Sequence, residues 1–287
     1  MGGSAYAEPL KIHLAIIDIG TPYQRFAKTF KDAMEASDVD IMESHGVNQG
    51  KAGLTVAVGM HAARQAVLQC DAPMLLTMIS SSGYRDLMAK DAISDNPCGQ
   101  MISAIYLDQP MNRTFDFIKK LLPNRSRVGV LYSAEENIDF SAMRKMAAEK
   151  GLSLITQRVD EDQFYSALEE VLSASDLLMA MPGGVIYNSS NIRNILLTSY
   201  NHSVPLIGLS KHYVRAGALS AILTTPEQLA NQTAEAILSF RHKKQLASPQ
   251  YPIDFEIKFN REVGRSLGIA FPSKVVIRTH LSVGHHK

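Results

Sequence analysis

The chain has 287 residues, 46% of them hydrophobic and 20% charged, and a formal net charge of +1. Its length favours two lobes over one domain. The near-neutral charge argues against a nucleic-acid partner, and no apolar run approaches the ~20 residues that cross a bilayer. At the start, Met1-Gly2-Gly3-Ser4 has the look of an added tail, and Ala5-Tyr6-Ala7 before Glu8 has the small-x-small form that precedes a signal-peptidase cut. A removed export signal, and hence a periplasmic protein, fits this form, as does accidental composition.

Apolar runs of strand length then alternate with stretches of helical period, which predicts parallel sheets with crossover helices. Lys11 to Ile19 is nearly continuous in apolar residues, as a strand covered on both faces should be, and Gly20-Thr21-Pro22 opens a helix through about Ser37. "VDIMESHG" and "LTVAVGM" read as the next strands, "HAARQAVLQC" as a helix and "APMLLTMIS" as a strand. A loop at Ser80 to Tyr84, a short helix near Tyr84 to Lys90 and the strand "MISAIYL" close the first series.

After Asp108-Gln109-Pro110 the helix "MNRTFDFIKKLLP" leads to a second series. Its strands are "RVGVLYS", "LSLITQRV", "DLLMAMPGG", "VPLIGLS" and "ALSAILT". Helices "NIDFSAMRKMAAEKG", "QFYSALEEVLSAS", "NSSNIRNILLTSYN" and a short turn at Tyr213 to Gly217 lie between them. "PEQLANQTAEAILSFRHKK" has Pro226 at its first helical position and is expected to cover the second sheet. From Gln245 the alternation breaks into the strand "FEIKFN", the short helix "REVGRSLG" and an amphipathic or strand-like tail "SKVVIRTHL". This tail is expected to cross back to the first lobe. The fold class is therefore α/β with two doubly wound parallel-sheet lobes, 8–108 plus 246–287 and 109–245, joined by a multi-segment hinge with a ligand cleft between them.

Ligands of open parallel sheets bind outside the carboxyl ends of the strands. Those ends carry Asp18 and Tyr23, Met60 and His61, Ser81 and Tyr84 in the first lobe. In the second they carry Glu136 and Asn137, Met181, Tyr187, Asn188 and Ser189, Ser210 and Tyr213. No G-x-S-x-G elbow, phosphate loop, H-E-x-x-H or G-x-G-x-x-G accompanies them, so no catalytic constellation, cofactor or metal is expected. Asp18 reads as a base or, more simply, as an acceptor for its own loop. His61 has no second histidine at ligand spacing and reads as a polar contact. Met60 and Met181, with Tyr23, Tyr84, Tyr187 and Tyr213, suit a ligand with a large apolar part.

Cys70 and Cys98 each precede a strand, which leaves two readings: a disulfide at one sheet edge, or two small buried hydrophobes. A catalytic pair of the amino-acid racemase kind is disfavoured, because neither cysteine lies at the C-terminal end of a strand.

"DQPMNRTFDFIKKLLPNRSRVGVLYSAEEN", "NILLTSYNHSVPLIGLSKHYVRAGAL", "PEQLANQTAEAIL" and "FNREVGRSLGIAFP" resemble the ABC-transporter substrate-binding proteins that include the tryptophan and tyrosine binders. The resemblance implies a type I periplasmic binding protein-like fold, a monomer that hands its ligand to an inner-membrane transporter, and no enzymatic activity. It implies that Glu136, Asn137, Asn188, Ser189 and Ser210 face the ligand. Amino-acid binders of the group carry an Asp-Asn pair where this chain reads Tyr187-Asn188-Ser189, and the loop at Ser80 to Gly83 has no acid until Asp86. A buried ammonium without a counter-charge is costly. The expectation is accordingly an apolar, lipid-like ligand such as a sterol, with an aromatic amino acid as the alternative.

Overall fold

In the computed structural model, residues 9–46, 52–69, 72–89, 101–136, 138–160, 163–182 and 186–283 are described. They form two compact units: residues 1–108 with 224–254, and 109–223 with 255–287. The chain thus passes between the units three times, at Asp108–Gln109, Leu223–Thr224 and Asp254–Phe255.

Unit 1 is built on the parallel strands β1 (Leu10–Ile16), β2 (Val39–Ser44), β3 (Leu54–Val58), β4 (Met74–Ile79) and β5 (Ile102–Tyr106), in the order β2-β1-β3-β4-β5. The central strand β3 is buried along its whole length, which its unbroken LTVAV requires of a two-faced position. The helices α1 (Thr21–Met34), α2 (Met60–Gln69) and α3 (Ser81–Met88) follow β1, β3 and β4. Strand β4 carries a register shift between Thr77 and Ile79, where Met78 takes a φ of 54°.

Unit 2 repeats this winding. Its strands are β6 (Arg127–Ser133), β7 (Ser153–Val159), β8 (Leu177–Met179), β9 (Leu206–Gly208), β10 (Ser220–Leu223) and β11 (Glu256–Phe259). They run in the order β7-β6-β8-β9-β10-β11, parallel except for β11. Its helices are α4 (Met111–Leu121), α5 (Phe140–Glu149), α6 (Phe164–Ala174), α7 (Ile192–Asn201) and α8 (Lys211–Ala216).

Two expectations are corrected. Helix α9 (Pro226–Lys243), with a Thr225–Gln228 capping box, belongs to unit 1 and does not cover the second sheet. Its Leu229, Ala230, Ala234, Ile237 and Phe240 share a core with Phe26 and Phe30 of α1, and the ion pairs Arg25–Glu227 and Arg241–Asp38 flank that seam. Conversely, the tail completes unit 2. Strand β11 pairs antiparallel with β10 from Ser220↔Phe259 to Leu223↔Glu256. Helices α10 (Arg261–Ser266) and α11 (Lys274–Val283) follow, and Ile277 and Leu281 of α11 are buried in the unit 2 core. Phe255 fixes this assignment: the guanidinium groups of Arg113 and Arg278 lie 4.9 and 5.2 Å from its ring centroid. Only a short stretch before Pro252 runs along β5, where Gln250 bonds Ala104 and Tyr106 through the backbone at 2.9 Å each.

Candidate ligand-binding site

In unit 1 the strand order reverses between β1 and β3, and in unit 2 between β6 and β8. Such switch points open a crevice beyond the strand ends because the following helices leave to opposite faces.

At the first switch point the loop after β1 and the turn after β3 meet. His61 Nδ1 donates to Asp18 Oδ1 at 2.5 Å, and the Tyr23 hydroxyl bonds the same carboxylate. Burial, and then the Asp18 charge beside it, raises the Tyr23 phenol above its ordinary value. Gly59 makes this convergence possible. It has φ +89°, and a Cβ there would meet Asp18 Oδ2 at 2.8 Å and Tyr23 Cε1 at 2.9 Å. The His61 side chain is 69% exposed, so Asp18 orients a ring whose other nitrogen faces outward.

Met60 carries the surface onward to α3. A Cβ on Gly83 would lie 2.3 Å from Met60 Cε, so only glycine admits that methyl group. Helix α3 starts at Ser81, earlier than expected, because the Ser80 hydroxyl caps it by accepting from Gly83 N at 3.0 Å. Ser81 is held by a residue outside its loop: its N and Oγ each donate to Asp108, both at 2.6 Å. Burial raises the Asp108 carboxyl, against the pull of those Ser81 bonds. Tyr84 contacts Tyr106 with ring centroids 5.7 Å apart, and Tyr106 contacts Tyr251 edge-on at 5.0 Å. Burial, then the neighbouring Tyr84, Tyr251 and Asp108, pushes the Tyr106 phenol up to about 12.

At the second switch point Glu136 folds back on its own turn, its Oε2 accepting from Ser133 N at 2.9 Å. Burial, and then the Glu135 charge, raises its carboxyl. No lysine, arginine or histidine among the described residues pairs with it. The expected walls Met181 and Tyr187 are instead core residues, each 6% exposed. Burial holds the Tyr187 phenol far above its ordinary range, and its hydroxyl is spent on Met179 O. Tyr213, half-buried, donates to Tyr187 O at 2.6 Å and packs on Gly208, where a Cβ would come within 2.5 Å of its own. Asn188 Oδ1 accepts from Ser190 N and Asn191 N at 3.0 Å each and so shapes the entry to α7. Ser189 is exposed, and Ser210 precedes α8 without a side-chain capping bond. Asn137, Cys70 and Cys98 lie outside the described residues.

The structure therefore gathers Asp18, Tyr23 and His61 into one cluster and joins Met60, Ser81 and Tyr84 to it along one edge. Sequence reasoning did not include Asp108, Tyr106 and Tyr251, which the structure places beside Ser81 and Tyr84. For Asp108 a signal existed, since it closes its strand as Asp18 closes the first; for Tyr251 there was none. Among the described residues no group of three His, Cys, Asp or Glu side chains is placed to hold a metal ion, and no helix is long and apolar enough to cross a membrane.

Two α/β lobes of this winding define the type I periplasmic binding protein-like class, and solved structures share it. An ABC domain from Streptococcus pneumonia in complex with L-Trp is 18% identical, covering 93% of this chain and 97% of that one at a TM-score of 0.62. A substrate-binding protein with adhesive properties from Clostridium difficile, in its ligand-free, open structure, is 17% identical, covering 92% and 96% at 0.71. A conserved domain protein from Vibrio cholerae is 19% identical, covering 94% and 98% at 0.63. No match was found among curated proteins. The family model described as ABC transporter substrate binding protein matches residues 49–279, and the chain belongs to that family. Such a protein binds a small molecule for an ABC transporter, a solute-binding and not a catalytic role.

Proposed function

We propose that this protein is a periplasmic capture component that takes an amphipathic solute at the carboxyl ends of its strands, works as a monomer and passes its ligand to an inner-membrane transporter. The head of the ligand carries an ammonium group and its body an aromatic ring, as in an aromatic amino acid. The observation that carries this reading is a carboxylate at the switch point of each sheet: Asp18, shared with Tyr23 and His61, and Glu136, which accepts from Ser133 N and pairs with no lysine, arginine or histidine among the described residues. A partly buried carboxylate facing no lysine or arginine of its own is the partner that a desolvated ammonium needs. These acids stand in for the Asp-Asn pair that the sequence lacks. The L-Trp held by the Streptococcus pneumonia structure supports the same chemistry.

A sterol-like lipid is the second reading, favoured by Ile19, 93% exposed beside Asp18, and by Met60. A thermal-shift and calorimetric panel of aromatic amino acids, aliphatic amino acids and sterols separates the two. Binding of aromatic amino acids, weakened roughly ten- to hundredfold by Asp18→Asn and by Glu136→Gln, is the expected result. Binding of sterols alone, indifferent to both substitutions, would refute it.

A further inference from the structure

We propose that the basic face of unit 2 built from β11, α10 and α11 lies against anionic lipid headgroups, with Val275 and Val276 of α11 entering the headgroup layer. The inference goes beyond the capture role above and does not depend on what the ligand is.

The chain as a whole is nearly neutral, with 29 lysines and arginines against 28 acids. Residues 255–283 depart from that balance, since Lys258, Arg261, Arg265, Lys274 and Arg278 stand against Glu256 and Glu262. Folding gathers the excess. Lys258 Nζ lies 2.7 Å from Glu256 Oε2, and Lys211 Nζ, from the start of α8, lies 3.5 Å from the same oxygen. Lys274 in turn feels the charges of Lys258, Arg261 and Glu256. Four cations are thus grouped about the Glu256 carboxylate. Burial, and then the Lys258 and Arg261 charges, lowers the Lys274 ammonium below its ordinary value. Like charges crowded in this way are relieved by an external anion. The side chains of Lys211, Glu256 and Lys258 are 34% to 38% exposed, so such an anion can reach them.

The cations stand on a fixed frame. Lys274 Nζ sits 5.3 Å from the Phe259 ring centroid, and Phe259 stacks on Phe271 at 4.4 Å. Gly264 admits Phe271, because a Cβ there would lie 2.3 Å from its ring. Charges placed in advance lose little freedom when a charged surface meets them.

Helix α11 adds an apolar contact. Ile277 and Leu281, each 1% exposed, point into the core and so turn the opposite side of the helix outward. Val275 and Val276 stand on that side, 72% and 62% exposed, directly after Lys274. Basic residues beside exposed apolar ones suit a lipid interface, where phosphates attract the cations and the apolar side chains leave water. An acidic protein segment answers the cations alone, whereas a lipid surface answers both. A protein that serves an ABC transporter works beside such a surface.

Flotation of the full chain with vesicles of phosphatidylcholine, or of equal parts phosphatidylcholine and phosphatidylglycerol, tests the assignment at low and at high salt. Wild type is expected to float with the anionic vesicles at low salt, to be released at high salt and to ignore phosphatidylcholine alone. Lys258→Glu with Lys274→Glu is expected to lower the affinity for anionic vesicles at least roughly tenfold. Lys145→Glu with Arg193→Glu, the same change of net charge placed on α5 and α7, is expected to change it far less. Melting temperature controls for folding. If the first pair proves unstable, Lys274→Gln, which leaves the Glu256–Lys258 ion pair in place, is expected to lose roughly fivefold. The chain has no tryptophan, so Val276→Trp puts a single indole on the proposed face and Tyr200→Trp puts one on α7. Emission of the first is expected to shift to the blue with anionic vesicles, and that of the second to stay. No flotation of wild type with anionic vesicles overturns the proposal, as does an equal loss in the two charge reversals or an equal shift of the two indoles. Binding to polyglutamate but not to vesicles overturns it in favour of an acidic protein surface.

Discussion

At the scale of single residues the most informative position is Gly59. Its positive φ and the 2.8 and 2.9 Å approaches of Asp18 and Tyr23 leave no room for a methyl group. Gly59→Ala is expected to separate Asp18 from Tyr23, to lower the melting temperature and to weaken ligand more than stability, a split read by pairing calorimetry with thermal melts. Glu136 makes a second prediction. Because burial raises its carboxyl, it protonates at higher pH than an ordinary glutamate, so affinity for a cationic head should begin to fall on acidification while exposed carboxylates are still ionised. Glu136→Gln should remove that part of the pH dependence. That Asp18, Tyr23 and His61 come together beside strand ends was legible in sequence, because each follows an apolar strand run. The strand-end place of Asp108 was legible in the same way, but its bond to Ser81 was not, because it arrives from the neighbouring strand and no local pattern records which strands are neighbours.

At the scale of elements, strand and helix type was legible almost throughout, since apolar runs and helical spacing are properties of contiguous residues. Partnership was not. The apolar stripe of α9 shows that it covers a sheet and not which one, and chain order suggested the sheet it had just left. Tail residues 274–283 were ambiguous between strand and helix until Ile277 and Leu281 found a core one helical turn apart. Pairing between elements also carries a testable acid sensitivity. Asp176, just before β8, accepts from Ser126 N and Arg127 N at the start of β6 and from the Arg127 guanidinium at 2.8 Å. Burial alone would raise its carboxyl, but the Arg127 and Ser126 bonds bring it down to about 2 from an ordinary 3.8. The folded state therefore keeps this group ionised where the unfolded chain protonates it. Its stabilisation is complete above the ordinary value and is lost as the pH falls through about 2. Asp176→Asn should flatten the acid limb of stability measured from about pH 5 to about pH 2.

At the scale of the whole molecule both units are discontinuous in sequence, and this decides which fragments fold. A fragment of residues 9–108 lacks α9 and leaves the faces of Phe26 and Phe30 uncovered. It is expected to be molten or aggregated, with dye binding and no cooperative melt. The same fragment joined to residues 224–254 by a flexible linker should melt cooperatively, and equal behaviour of the two would contradict the placement of α9. The three chain crossings bear equally on synthesis. Unit 1 awaits residues 224–254 and unit 2 awaits residues 255–287, so neither core closes before the chain has been made past residue 224. Up to that point the growing polypeptide has no completed core in either unit, and whatever handles it meets no structure that it must first undo.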